Sequence, residues 1–306
     1  MPYDLTEPLV IGISSRALFD LEEENQIYER QGVAAYEDYQ VRHENDVLRP
    51  GAAFPLVQAF LELNKLQEQN LVEVIIMSRN SPNTSLRIFN SVREYGLDIS
   101  RAALSGGAEI APYLKSYETD LFLSANAADV KQAVDSGVAA GVILPGNLPA
   151  DRETRLHQIR IAFDGDAVLF AANSERIFQQ EGMDAFFQNE QANADVPLEK
   201  GPFANFLLTL AHIQSRFDGN LAPIRTALVT SRNAPAHERP IKTLRAWGVR
   251  VDEAHFLGGA PKTQVLSAFG AHIFFDDQRR HAEPASKVVP AAVVPYREGD
   301  DPMDAS

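Results

Sequence analysis

The stretch Ile159 to Phe170, IRIAFDGDAVLF, decides how this chain is read. It opens as a short apolar run, Ile159-Arg160-Ile161-Ala162-Phe163, with enough alternation for a strand. It breaks at Asp164-Gly165-Asp166 and resumes with Ala167-Val168-Leu169-Phe170. Asp-Gly-Asp by itself is an ordinary turn composition. At the end of a buried strand, however, carboxylates are costly to desolvate unless they hold a metal or a proton. The carboxyl end of a parallel strand is also where open α/β sheets bind ligands.

Three later stretches extend the pattern. Ala227-Leu228-Val229-Thr230-Ser231 is a strand ending in hydroxyls. Gly258-Gly259-Ala260-Pro261-Lys262 is a turn whose lysine opens a helix. His272-Ile273-Phe274-Phe275-Asp276-Asp277 is an apolar strand ending in paired acids. Taken singly, Thr230 is a strand-end hydroxyl, Lys262 a solvated helix residue and Asp276-Asp277 a helix cap. The series DxD, Thr/Ser, Lys, DD, each at or just after a strand end, resembles the haloacid dehalogenase superfamily of phosphohydrolases.

Composition sets the limits. The chain has 306 residues, 45% hydrophobic and 23% charged, which is ordinary globular usage and room for two domains. No run of 18 apolar residues is present, so no membrane span is expected. The first residues, MPYDLTEP, do not have the form of a signal peptide. There are no cysteines, which excludes disulfides and thiolate metal sites and fits a cytoplasmic setting. The net charge of −14 disfavours nucleic acid and anionic lipid as partners. It also repels a phosphate, so an anion site here needs local positive charge, for which Lys262, Arg232 and a divalent cation are the candidates.

Strand and helix signals alternate along the chain and then repeat. Asp164 follows Ser14 by 150 residues, and Gly258-Gly259-Ala260 follows Gly106-Gly107-Ala108 by 152. The word Ser-Arg-Asn recurs at 78–80 and 231–233, an offset of 153, which pairs Met77 with Thr230. Near-constant spacing predicts an internal duplication. The expected fold is α/β: two tandem Rossmann-like halves with parallel sheets flanked by helices. The first half, residues 8–149, is read as degenerate. Ser14 stands for Asp164, Arg16 for Asp166, Ile110 for Lys262, Ser124 for Asp276 and Ala125 for Asp277. The second half, 150–297, is read as catalytic. Each half carries a helical insert after its first strand, 174–217 in the second. In the first, Glu22, Glu23 and Glu24 read as a solvated face. Pro145 to Pro149 reads as a linker and residues 298–306 as a disordered acidic tail.

The chemistry follows from what a phosphate ester demands, a nucleophile and charge neutralisation. Asp164 is the candidate nucleophile, forming an aspartyl-phosphate. Asp166 is the candidate acid and base. Thr230, or alternatively Ser231, can hydrogen-bond the phosphoryl group, with Arg232 adding charge, and Lys262 offsets the negative charge of nucleophile and phosphate. Asp164, Asp276 and Asp277 form an oxygen-rich set suited to Mg²⁺, with Asp276 expected at an exposed strand end. Four words resemble the cytosolic 5′-nucleotidase type I family more closely: Ile13-Ser14-Ser15-Arg16-Ala17-Leu18-Phe19-Asp20, Arg160 to Phe170, Lys242-Thr243-Leu244-Arg245-Ala246-Trp247-Gly248 and His272 to Gln278. That resemblance implies Mg²⁺-dependent hydrolysis of nucleoside monophosphates, AMP favoured. The superfamily pattern implies that Asp166 also meets the metal, through its backbone carbonyl. The aromatics of the insert read first as core; the alternative is that the insert covers the site, with Phe186, Phe187, Phe203 or Phe206 stacking the base and Gln188, Asn189 or Glu190 bonding its edge. His212 and His281 read as structural or solvent-facing. A nucleotide effector and a homo-oligomer stay open as partners. Two other functions also stay open: a phosphatase for another small ester, and a non-enzymatic nucleotide sensor.

Overall fold

The computed structural model describes residues 4–66, 70–146, 158–217 and 222–297. The strands are Leu9–Ile13 (β1), Val72–Ser78 (β2), Arg101–Leu104 (β3), Leu121–Ser124 (β4) and Ala139–Ile143 (β5). They continue with Ile159–Phe163 (β6), Ile224–Thr230 (β7), Glu253–Phe256 (β8), Ile273–Asp276 (β9) and Ala291–Val293 (β10). Among the described residues these ten make one sheet, in the order β3-β2-β1-β4-β5-β10-β9-β6-β7-β8. The first five strands pair in parallel, as do the last five. The exception is the central seam, where β10 runs antiparallel to β5 with Ala292 opposite Ile143. The carboxyl ends of the first five strands therefore point to one edge of the sheet. Those of the last five point to the opposite edge.

Strands β1, β2 and β9 are buried along their whole length and mostly apolar, as a parallel sheet covered by helices on both faces requires, with Glu73, Ser78 and Asp276 the polar exceptions. One core runs across the seam on one face, from Ile11 and Phe19 through Ile143 and Ala292 to Phe163 and Phe275. On the other face each half has its own core, around Phe122 and Val134 in one and Phe274 and Val229 in the other. No helix of the described residues is long and apolar enough to cross a membrane.

Several expectations change. The second-half insert divides in two. Helices Asn173–Glu181 and Met183–Ala192 form a hairpin turned at Gly182, whose φ of 87° suits glycine. Helix Ala204–Ser215 instead packs on the sheet, so it is no cover. Phe203 and Phe206 lie fully in the core against Phe163. Glu24 is not solvated: it is buried and accepts from Arg87 Nη1 at 2.6 Å. The linker region from residue 147 and the tail from residue 298 lie outside the described residues.

The hydrogen bonds at the ends of β2 and β7 also depart from the word match. Asn80 N–H donates to Ser78 Oγ, and Arg232 N–H donates to Thr230 Oγ1, both at 3.2 Å. Ser105 N–H reaches Ser78 O as Leu257 N–H reaches Thr230 O. The structural counterpart of Thr230 is therefore Ser78, and that of Arg232 is Asn80. Sheet register decides this, because it fixes which side chain stands at the strand end.

Candidate active site

Strand β6 lies between β7 and β9, so the ends of all three converge. Asp164 follows β6, and its N–H donates to Phe275 O at 2.8 Å. Thr230 ends β7 and Asp276 ends β9. A Cβ at Gly165 would stand 3.3 Å from Thr230 Oγ1, so glycine lets these ends close up. Ala167 takes φ 59°, a left-handed conformation uncommon outside glycine, in the tight turn that follows Asp166.

Lys262 reaches in from the start of helix Thr263–Phe269. Its Nζ lies 2.9 Å from Asp164 Oδ1 and 2.7 Å from Asp276 Oδ2. All three side chains are buried, and Asp276 is not at an exposed strand end but fully enclosed. Burial pushes Asp164 up to about 6, against the pull of Lys262 and with Asp276 and Asp166 adding to the rise. Burial, with Asp164 and Asp276 nearby, lifts Asp277 well above the usual carboxylate range. Burial works the same way on Asp276, but Lys262 and His281 outweigh it and hold that carboxyl low. Lys262 rises to about 12, because Asp164 and Asp276 outweigh its own desolvation.

Asp164, Asp276 and Asp277 each bring a carboxylate oxygen within 4.8 Å of the others. Asp277 Oδ1 is buried with no hydrogen-bond partner among the described residues. An all-carboxylate set with an unsatisfied buried oxygen fits a hard divalent cation. One lysine cannot neutralise three buried acids.

Arg232 and Asp166 form a second cluster. Arg232 Nε and Nη2 grip both oxygens of Asp166, at 2.8 and 2.6 Å. Its Nη1 also donates to Glu190, which Arg239 Nη1 holds from the other side at 2.9 Å. Phe186 lies under the guanidinium, 5.2 Å from ring centroid to carbon. Arg232 thus ties the turn after β6 to the hairpin, and its charge is spent on carboxylates. Glu190, read from sequence as a base contact, is likewise enclosed in ion pairs. Phe186 is buried, Phe187 half-buried and Ser231 exposed.

Two neighbours were not foreseen. Tyr296, just past β10, donates its hydroxyl to Asp277 Oδ2 at 2.5 Å. Glu175, on the hairpin, accepts from Gln278 Nε2 at 3.3 Å, and burial raises its carboxyl. Neither sits in a motif, so no spacing could have marked it. His281 Nδ1, read as structural, lies 3.5 Å from Asp276 Oδ2.

Three buried acids around one lysine, at the carboxyl ends of parallel strands, define a site for a hard cation and an anionic group. The chain belongs to the 5′-nucleotidase family, whose model matches residues 1–301. It is 40% identical over 291 residues to cytosolic 5′-nucleotidase 1B of Homo sapiens, covering 92% of this chain and 47% of that protein. The chain thus spans about half the length of that curated relative. Among solved structures, a putative universal stress protein from Pseudomonas aeruginosa UCBPP-PA14 aligns with 9% identity and a TM-score of 0.32, covering 98% of this chain and 95% of its own. A histidinol dehydrogenase from Elizabethkingia anophelis aligns with 10% identity and a TM-score of 0.24, covering 92% and 79%. Scores that low carry no argument about fold or activity.

Proposed function

We propose that this chain hydrolyses nucleoside 5′-monophosphates, AMP foremost, to nucleoside and phosphate, in a cytoplasmic setting. Family membership supports the substrate class. The observation that carries the chemistry is the buried Asp164 carboxylate, held between Lys262 and the Asp276–Asp277 pair.

In this reading Asp164 Oδ attacks phosphorus, and the bond to the nucleoside oxygen breaks. Asp166 gives that oxygen its proton, then takes one from the water that opens the aspartyl-phosphate. In the ground state Arg232 grips Asp166 by both oxygens, so this role needs the fork to loosen. Thr230 supplies a hydroxyl donor at the adjoining strand end, and Lys262 balances charge on the nucleophile. Asp164, Asp276 and Asp277, with the Asp166 carbonyl, would hold Mg²⁺, which would supply neutralisation of the phosphate charge. The two halves, 8–149 and 150–297, read as haloacid dehalogenase-type copies, because β3-β2-β1-β4-β5 and β8-β7-β6-β9-β10 follow one order. Phosphate release from AMP, assayed with Mg²⁺ and again with chelator, tests the whole reading. No release under either condition would leave the non-enzymatic alternative.

Asp276→Ala removes a carboxylate oxygen that a hard cation requires. The Mg²⁺ concentration for half-maximal phosphate release should rise by at least roughly tenfold to a hundredfold. A Mg²⁺ titration that overlays the wild-type curve would place the metal elsewhere.

Base recognition falls to the hairpin, which Glu190 and Glu175 tie to the site. Phe187→Ala should weaken AMP use by roughly tenfold to a hundredfold, the worth of one stacked base, and spare a small aryl phosphate. Phe203→Ala should instead cost about 3–5 kcal/mol of stability, since that ring fills the core, and leave the ratio of the two substrates unchanged. Competition assays and urea unfolding separate these outcomes. An unchanged ratio in Phe187→Ala would remove this ring from base recognition.

A further inference from the structure

The carboxyl ends of β1, β2 and β4 surround a cavity of about 330 Å³ beneath the hairpin of helices Glu22–Gln31 and Val33–Arg42. The antiparallel seam places it at the sheet edge opposite the Asp164 cluster. It is therefore no part of that site, and the hydrolytic reading does not use it.

Its wall can be compared with the catalytic half position by position. Ser14 follows β1 as Asp164 follows β6, their N–H groups donating to Leu123 O and Phe275 O. Asn126 N–H donates to Ser124 Oγ at 3.1 Å, as Gln278 N–H donates to Asp276 Oδ1 at 2.8 Å. Hydroxyls thus replace two of the three clustered acids, and Ala125 replaces the third. Such a wall cannot hold a hard cation. Hydroxyl donors beside arginine suit a phosphate directly, with no metal between.

The arginines are present. Arg16 and Arg79 both line the cavity. Arg16 makes only a loose 3.7 Å contact, with exposed Glu22, among the described residues. Two of the three acids of the wall are neutralised, Glu24 by Arg87 and Asp129 by Arg79, and the third, Glu37, accepts from Ser81 Oγ at 3.5 Å. Two donors of the wall, Arg79 Nε and Asn80 Nδ2, are buried with no partner among the described residues. Buried donors left unpaired are costly, so they mark a place where acceptor oxygens are wanted.

The open space has a cause. In the catalytic half, Arg232 spans from the strand end to Asp166 and Glu190 and fills the corresponding region. Its counterpart Asn80 is too short to do so. Tyr36 and Tyr28 line the hairpin side, with ring centroids 6.0 Å apart. Tyr28 is 50% exposed, an aromatic face with room beside it.

We propose that this cavity is a second, metal-independent site that binds a small organic phosphate carrying a planar ring and does not hydrolyse it. The phosphate meets Arg16 and the serine hydroxyls, and the ring lies against Tyr28.

The test is equilibrium binding to the full chain in excess chelator, where turnover is stopped. AMP is the probe, with adenosine and inorganic phosphate as comparison arms. AMP should bind in chelator, and each comparison ligand at least tenfold more weakly. Arg16→Ala and Tyr28→Ala should each weaken AMP binding at least tenfold, while Asp164→Asn leaves it unchanged. With Mg²⁺ restored and AMP saturating, Arg16→Ala should still turn over. Four results would overturn the proposal: no AMP binding by folded protein in chelator, binding lost in Asp164→Asn but kept in Arg16→Ala, adenosine binding as tightly as AMP, or inorganic phosphate doing so. Hydrolysis on the same preparations is a separate readout, so failure of this site and failure of the hydrolytic reading are distinguishable.

Discussion

Asp164→Asn should end phosphate release from AMP, with a loss on the order of 10⁴-fold or more, as when a nucleophile acting as part of a unit is removed. The amide keeps the shape of the carboxylate, so the fold should survive. The same substitution makes an opposite prediction for stability without metal. Burial raises the Asp164 carboxyl from its ordinary 3.8 to about 6 in the folded protein. An acid whose folded pKa is raised binds its proton more tightly when folded. Its contribution is most favourable below the unfolded value and is lost as pH rises through the folded one. At pH 8 the charged form therefore costs about 3 kcal/mol, from two pKa units at about 1.4 kcal/mol each. In chelator, Asp164→Asn should be more stable than wild type at pH 8 by up to that amount, and the gap should close below about pH 4. Urea unfolding at both pH values measures it. A folded variant that still releases phosphate at a near-normal rate would end the nucleophile assignment.

Lys262→Met should be the most destabilising change at the site. Lys262 Nζ is the cation between Asp164 and Asp276, and its side chain is 3% exposed. Methionine fills a similar volume, so packing changes little. What disappears is the charge, leaving buried acids facing one another. Removing one partner of a buried pair costs roughly 3–5 kcal/mol. That loss should appear at pH 8 in chelator. It should shrink at pH 5, where protons reach Asp164, and Mg²⁺ should restore part of it. Phosphate release should fall by on the order of 10²–10³, the worth of one preorganised electrostatic group. Stability within about 1 kcal/mol of wild type at pH 8, together with undiminished turnover, would show that Lys262 is not the neutralising group.

Much of the fold was legible because its buried strands are short apolar runs closed by polar residues. Leu9–Ile13 and Ile159–Phe163 stand where their patterns put them. Two strands left no signal. Glu253–Phe256 is a half-exposed edge strand carrying Glu253 and His255, so no apolar run marks it. Ala291–Val293 is three residues long and takes its place from pairing with β9 and β5. That pairing joins ten strands into one sheet and sets the two halves running in opposite directions, a relation no local pattern can encode.

The residues of the acid–lysine cluster were named from sequence, because carboxylates and a lysine at strand ends are conspicuous in an apolar context. By itself the sequence determined which side chains stand there, and that Ser14, Arg16, Ser124 and Ala125 stand 150 to 152 residues before Asp164, Asp166, Asp276 and Asp277. Tertiary structure alone decided what each charge is spent on. Arg232 could be read as a phosphate ligand until Asp166 and Glu190 were seen to occupy its fork. Phe203 and Phe206 could be read as a stacking cage until Phe163 and Phe275 closed around them. Tyr296 and Glu175 entered only through their contacts. Residue type sets what a side chain can do. Burial and partners, supplied by segments distant in the chain, set what it does, because a charge out of water is governed by its nearest neighbours.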